Sequence, residues 1–109
     1  MAITSTQSKV PASVTNVAVG RYLDTGTVAA FTITTGFKPR YVRVQNVTSR
    51  DQMEWWEGMT DDTAVKTVAA GTGTLNASLG ITPLAYGFTV GLDTDVVVTS
   101  EQLSWIAIG

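Results

Sequence analysis

The clearest alternation of apolar and polar residues lies near the middle of the chain. Residues 41–47 are rich in β-branched and aromatic side chains, and Val42 and Val44 share one face of the predicted strand. Residues 48–51 are polar and suit a turn. Residues 52–57 then run back as a second strand, which a glycine ends. The pattern therefore predicts a β-hairpin.

Two adjacent tryptophans, Trp55 and Trp56, lie on the second strand of this hairpin. Neighbouring side chains of a strand point to opposite faces, so one tryptophan belongs to the core and the other to a contact or to solvent. A short turn would place Trp56 opposite Val44 and would also set Arg43 opposite Glu57. This register predicts that Trp56 is the core tryptophan.

The same alternation, with a period of two residues, predicts further short strands separated by turn signals. They cover residues 14–22, 28–34, 63–70, 86–90 and 103–108, and a β-branched run at 96–100 also suits a strand. Residues 75–80 are ambiguous. Roughly seven or eight strands without a long helical period predict an all-β fold, an antiparallel β-sandwich or jelly-roll-like domain spanning residues 14–109.

The last predicted strand, residues 103–108, is apolar on both faces. Such a strand is central in a sheet that is covered on both sides, or it lies at a subunit interface. This property and the aromatic residues of the hairpin define a set of candidate interface residues. They are Tyr41, Trp55, Trp56, Leu103, Trp105, Ile106 and Ile108.

The N-terminal stretch, residues 1–13, is polar and rich in Ser and Thr. It is either a frayed terminus or an extended arm that becomes ordered on a partner. Its candidate contact residues are Ile3, Lys9 and Pro11.

The composition excludes several classes of function. The chain has no cysteine and no histidine, so disulfides, thiolate zinc sites and Ser-His-Asp triads are impossible. We therefore expect no enzyme activity, no cofactor and no metal. A net charge of −2 gives no long-range attraction to nucleic acid. The sequence has neither a signal-peptide pattern nor an apolar run of about 20 residues, so we expect no membrane partner and synthesis in a cytoplasm.

Three stretches carry a resemblance to a known group of proteins. They are residues 35–46 (TGFKPRYVRVQN), 86–91 (YGFTVG) and 103–109 (LSWIAIG). Together they resemble small β-sandwich proteins and domains from the virions of tailed bacteriophages, in which a GFxPxxVxV strand, a GFxxG strand and an aromatic C-terminal strand share one sandwich. The resemblance extends over residues 35–109.

The resemblance implies a structural virion protein without catalytic residues. Because residues 1–109 contain neither a long stalk nor a separate attachment domain, the leading hypothesis is a capsid decoration (cement) protein made in the host cytoplasm. It would bind the outer capsid surface, stabilise the head, and have as partners the major capsid protein and copies of itself, with a trimer favoured. The alternative is a receptor- or carbohydrate-binding module of a tail or head fibre, with Tyr41, Trp55, Trp56 and Tyr86 as an aromatic platform.

Deleting residues 1–13 should leave the domain folded and weaken its attachment to the particle, because this polar stretch lacks the periodicity of a core segment. Circular dichroism measures the first effect, and co-sedimentation with capsids that lack the protein measures the second. Unfolding of the truncated chain would place the stretch in the core instead.

Overall fold

The computed structural model describes residues 16–109, and all regular secondary structure in that range is β-strand. The strands are β1 (Val17–Tyr22), β2 (Phe31–Thr34), β3 (Tyr41–Asn46), β4 (Gln52–Trp56), β5 (Thr63–Thr67), β6 (Gly73–Leu84), β7 (Gly87–Val90) and β8 (Leu103–Ile108). The predicted all-β class is confirmed. The predicted N-terminal arm, with Ile3, Lys9 and Pro11, lies outside the described residues, so the division of the chain at residue 13 stays a prediction.

The eight strands form one hydrogen-bonded sheet in the order β1-β8-β3-β4-β5-β6-β7-β2, and every neighbouring pair is antiparallel. The sheet curls over on itself. The rings of Tyr22 on β1 and Phe31 on β2 stack with centroids 3.8 Å apart, although these strands are the two edges of the sheet. The rings of Phe88 and Trp105 meet edge to face at 5.4 Å. The two facing layers therefore belong to one curled sheet, whereas the sequence suggested a sandwich.

The long strand β6 carries the chain from one layer to the other. Ala64 pairs with Asn76, but its neighbour Thr63 pairs with Ile81, so β6 holds extra residues at this point. Such bulges bend a strand and increase its twist. A Cβ atom on Gly80 would overlap the backbone of Thr63, so only glycine fits the bend. The sequence pattern missed this strand because the bend interrupts the alternation.

The core lies between the two layers. Val42 and Val44 of β3 are fully buried, as are Phe88 and Val90 of β7 on the opposite layer. The remaining buried apolar residues are Met53, Trp55, Ala64, Ile81, Val96, Val97, Leu103 and Ala107. Burial of each large apolar side chain stabilises the fold by roughly 1.5–3 kcal/mol.

The predicted strand at residues 96–100 is wrong. This segment consists of turns, and its Val96 and Val97 side chains are buried in the core. Backbone N–H groups of both valines donate to the carbonyl oxygen of Asp93, at 3.1 and 2.8 Å. A run of β-branched residues here closes a compact loop over the core, because burial, and not strand pairing, determines its conformation.

The hairpin β3–β4 is confirmed, but its predicted register is wrong. Val44 pairs with Met53, and Val42 pairs with Trp55. The observed partner of Val44, Met53, lies an odd number of residues before the predicted partner, Trp56. A shift by an odd number of residues turns every side chain of β4 to the opposite face of the sheet. Trp55 is therefore the core tryptophan at 4% exposure, whereas Trp56 is 55% exposed. In the same register Arg43 lies opposite Glu54, where Glu57 was expected.

The side chain of Asn46 explains the register. Its Oδ1 accepts hydrogen bonds from the backbone N–H groups of Thr48 and Ser49, at 2.9 and 3.0 Å. Its Nδ2 donates to the carbonyl oxygen of Val96 at 2.9 Å. Arg50 adopts a positive φ of 69°, which lets the chain reverse over residues 47–51. The buried asparagine thus stabilises a longer loop than the sequence pattern predicts.

Replacing Trp55 with Ala should destabilise the fold by roughly 3–5 kcal/mol, because it leaves a large cavity between the layers. Trp56→Ala is the matched control, and it should cost about 1 kcal/mol or less, since this ring is half-exposed. Urea unfolding at low protein concentration measures both values. Equal, large losses at the two positions would contradict the assigned faces.

Candidate interaction surface

The outer face is the side of β1, β8, β3, β4, β5 and β6 that points away from the core. Strand pairing arranges its side chains in two rows that cross the strands. The first row is Val17, Ile108, Tyr41 and Trp56. The second row is Val19, Ile106, Arg43, Glu54, Val65 and Leu75. Both rows begin with valines of the edge strand β1.

Most side chains in these rows are apolar, and those at the ends of the rows are unusually exposed. Val19 is 71% exposed, Leu75 is 69% exposed, and Val17 and Trp56 are each more than half exposed. Exposed apolar side chains gathered on one side of a sheet are typical of an interaction site. The outer face is therefore the candidate interaction surface.

The structure divides the predicted interface residues between the two sides of the sheet. Tyr41, Trp56, Ile106 and Ile108 lie on the outer face. The other three, Trp55, Leu103 and Trp105, point into the fold, because they alternate with the outer residues along β4 and β8. Trp55 and Leu103 are buried in the core and do not present their side chains to a partner, whereas Trp105 is partly buried.

Arg43 is the polar centre of the outer face. Its Nε donates to Gln52 Oε1 at 3.0 Å, and its Nη2 donates to Gln45 Oε1 at 3.1 Å. The side chain lines a shallow depression of about 200 Å³ with Gln45, Ser104, Trp105 and Ile106. Within residues 16–109, no carboxylate forms an ion pair with it. The guanidinium is thus oriented by neutral amide oxygens, and its charge is not neutralised by a carboxylate of residues 16–109.

An aromatic pair borders this centre. The rings of Tyr41 and Trp56 are tilted by 52° with centroids 4.5 Å apart. The predicted four-residue aromatic platform is wrong, because Trp55 is buried and Tyr86 precedes β7, away from the outer face. Only two of its four members, Tyr41 and Trp56, are brought together in the structure.

Tyr41 forms a strong contact with Glu54. Its hydroxyl donates to Glu54 Oε2 at 2.7 Å. Burial, and then the hydrogen bond and negative charge of Glu54, raise the pKa of Tyr41 to about 12. The phenol therefore stays protonated and orders the carboxylate on the outer face.

A second polar cluster lies on the inner face and was not predicted from the sequence. Lys66 Nζ donates to both carboxylate oxygens of Asp93, at 3.0 and 3.1 Å, and to Asp95 Oδ2 at 2.6 Å. Asn76 Nδ2 donates to Asp93 Oδ2 at 2.8 Å. These contacts fix the loop after β7 against β5 and β6.

The shared contacts shift the pKa values of both charged partners. Burial would raise the pKa of Asp93, but hydrogen bonds from Lys66, Asn76 and the Asp95 N–H outweigh it and lower this pKa. Burial would likewise lower the pKa of Lys66, but hydrogen bonds to Asp95 and Asp93 outweigh it and raise this pKa. The cluster is therefore an ammonium–carboxylate ion pair at neutral pH.

Two further observations concern the described part of the chain. Residues 16–109 hold no group of three or more His, Cys, Asp or Glu side chains arranged to bind a metal. The same residues contain no helix with the length and apolar character needed to cross a membrane.

No family model, curated protein or solved structure matches this chain.

Tyr41 should titrate at a pKa of about 12, against an ordinary value of 10.0. The difference in ultraviolet absorbance between the wild type and Tyr41→Phe isolates this phenol. Glu54→Gln should lower its pKa, because the acceptor charge is lost, while the control Glu57→Gln should not. Because the pKa is raised on folding, the contact stabilises the protein below pH 10, and this stabilisation is lost as the pH rises to about 12. An unchanged titration in Glu54→Gln would contradict the contact.

Proposed function

We propose that this protein is a non-enzymatic structural protein that assembles with copies of itself through the outer face and decorates the capsid of a tailed bacteriophage. The exposed apolar rows on the outer face are the observation that carries this proposal. On the particle the protein would bind the major capsid protein and stabilise the head.

The apolar rows support self-association because they have no cover within residues 16–109. Val17, Val19, Trp56 and Leu75 expose apolar side chains on one side of a rigid sheet. A contact of about 800 Å² per protomer, the scale of a stable interface, would cover such a face. A closed symmetric assembly covers the outer face and stops further growth. A trimer suits the local threefold positions of a capsid.

The placement of the three virion-like stretches supports the capsid role. The N–H groups of Thr35 and Gly36 both donate to the carbonyl oxygen of Tyr86, at 2.8 and 3.0 Å, which joins the first stretch to the second. The ring of Phe37 lies so close to Gly109 that a Cβ atom there would overlap it. The first stretch thus contacts both of the others.

The second candidate is a receptor- or carbohydrate-binding module, which the aromatic pair favours. Trp56 offers an exposed ring beside Tyr41, and flat aromatic faces stack on the apolar faces of sugars. Glu57 and Arg40, whose side chains lie 3.7 Å apart, place polar groups near that ring. This candidate predicts sugar binding by a protein that need not associate with itself.

Val19→Glu and Leu75→Glu test the leading proposal. Each change adds a charge to an exposed position of the outer face, so each should dissociate the oligomer and weaken capsid binding without lowering the unfolding midpoint. Leu84→Glu is the matched control, because Leu84 is an exposed leucine on the other half of the sheet. Light scattering, urea unfolding and co-sedimentation with capsids provide the three measurements.

Several outcomes separate the two candidates. Hundreds of copies per virion and loss of oligomers in both outer-face variants support decoration. A wild-type monomer at high concentration that also sits alone on the particle would overturn self-assembly. A few tens of copies, with glycan binding that Trp56→Ala abolishes, would favour the receptor-binding module.

A further inference from the structure

Lys66, Asn76 and Asp93 bring an amine, a carboxamide and a carboxylate together on the inner side of the sheet. Lys66 Nζ lies 3.1 Å from Asp93 Oδ2, and Asn76 Nδ2 lies 2.8 Å from the same oxygen. The two nitrogen atoms are therefore no more than about 6 Å apart. One carboxylate holds both groups.

Strand pairing makes this arrangement rigid. Ala64 pairs with Asn76 and Lys66 pairs with Thr74, so Lys66 and Asn76 are diagonal neighbours on adjacent strands. Such neighbours are about 7–8 Å apart at the backbone, which a lysine side chain can span. Pairing of β5 with β6, and not a mobile loop, thus places the amine of Lys66 near the carboxamide of Asn76.

Two of the three groups are mostly buried, and Asn76 is partly buried. Asp93 is only 7% exposed, and the side chain of Lys66 is 12% exposed. Asn76 Nδ2 also lies 3.8 Å from the sulfur of Met53, which is fully buried. Exclusion of water favours attack by an amine over hydrolysis of the amide and lowers the cost of neutralising a charged pair.

We propose that Lys66 and Asn76 form an intramolecular amide cross-link, with Asp93 as the proton carrier. Asp93 accepts a proton from Lys66 Nζ, and the neutral amine attacks Cγ of Asn76. Asp93 then returns the proton to Nδ2. The Nζ–Cγ bond forms and the Cγ–Nδ2 bond breaks. The second proton that Nζ loses as it becomes an amide nitrogen passes through Asp93 to the departing ammonia, which leaves as ammonium. The step consumes no oxidant, reductant or cofactor.

Asp95 opposes this reaction. Its Oδ2 lies 2.6 Å from Lys66 Nζ and stabilises the charged ammonium, which cannot act as a nucleophile. The Asp93 carboxylate oxygens, 3.0 and 3.1 Å from the same nitrogen, stabilise the ammonium as well, so the reaction starts from the minor neutral form of this pair. The side chain of Asp95 is 58% exposed, so solvent weakens its hold. The reaction needs to occur only once in each molecule, and departure of ammonia makes it irreversible. A small fraction of neutral amine is therefore sufficient.

The mass of the intact, purified chain tests the cross-link. Loss of ammonia lowers the mass by about 17 Da relative to the sequence, since the new amide is formed by aminolysis of the old one. Lys66→Arg keeps a positive charge for Asp93 but has no competent nucleophile, so this variant should keep its full sequence mass. Asp95→Asn should reach the lower mass faster than the wild type.

Digestion with trypsin provides a second readout. Lys66 is the only lysine or arginine after Arg50. A cross-linked Lys66 resists trypsin, so the denatured wild type should yield residues 51–109 as one peptide. Lys66→Arg should yield two peptides, 51–66 and 67–109.

The same digest separates the cross-link from succinimide formation at Asn76, which also removes ammonia. A succinimide leaves Lys66 cleavable and forms equally well in Lys66→Arg. Full sequence mass in the wild type after days at 37 °C would overturn the proposal. A lower mass accompanied by cleavage after Lys66 would overturn it as well.

Discussion

The close contact between the backbones of Gly80 and Thr63 is the constraint on which the rest of the structure depends. It bends β6, so that one part of this strand pairs with β5 and the other part pairs with β7. Without the bend, Phe88 and Val90 would not cover the inner face of β3 and β8. The positive φ of Leu79 beside the bend costs about 1–3 kcal/mol. Burial of Phe88 alone offsets a cost of this size, since a buried phenylalanine contributes roughly 1.5–3 kcal/mol.

The two-residue period was sufficient to predict strands that bury one face throughout, such as β3, β4 and β8. It failed where another interaction determines the backbone. In β6 the bend interrupts the alternation near Gly80. In the hairpin the side chain of Asn46 replaces the hydrogen bonds of a short turn, and the register changes with it. Val96 and Val97 are β-branched residues of the kind found in strands, yet they are buried in the core from within a loop.

The candidate surface was predictable only in part. The alternation along β3 places Tyr41 opposite Val42 and Val44, but residues 103–108 are apolar on both faces, so their sequence does not tell which of them face outward. The rows that cross the strands depend on the pairing register between neighbouring strands, which cannot be read from the sequence of one strand. The position of Glu54 beside Arg43 is therefore seen only in the folded chain. Lys66 did carry a signal, because a lysine on the same face of the strand as the buried Ala64 must find a partner inside the fold.

The position of β8 between β1 and β3 has a kinetic consequence. A central strand of the sheet comes last along the described chain, and its pairing with β1 joins residues separated by most of the sequence. Closing such long loops is slow, so folding rates fall as contacts become less local. The hairpin β3–β4 can form early from neighbouring residues. Among residues 16–109, strand β1 pairs only with β8, so until β8 docks its valines and the apolar residues of β3 are open to wrong pairing with other chains.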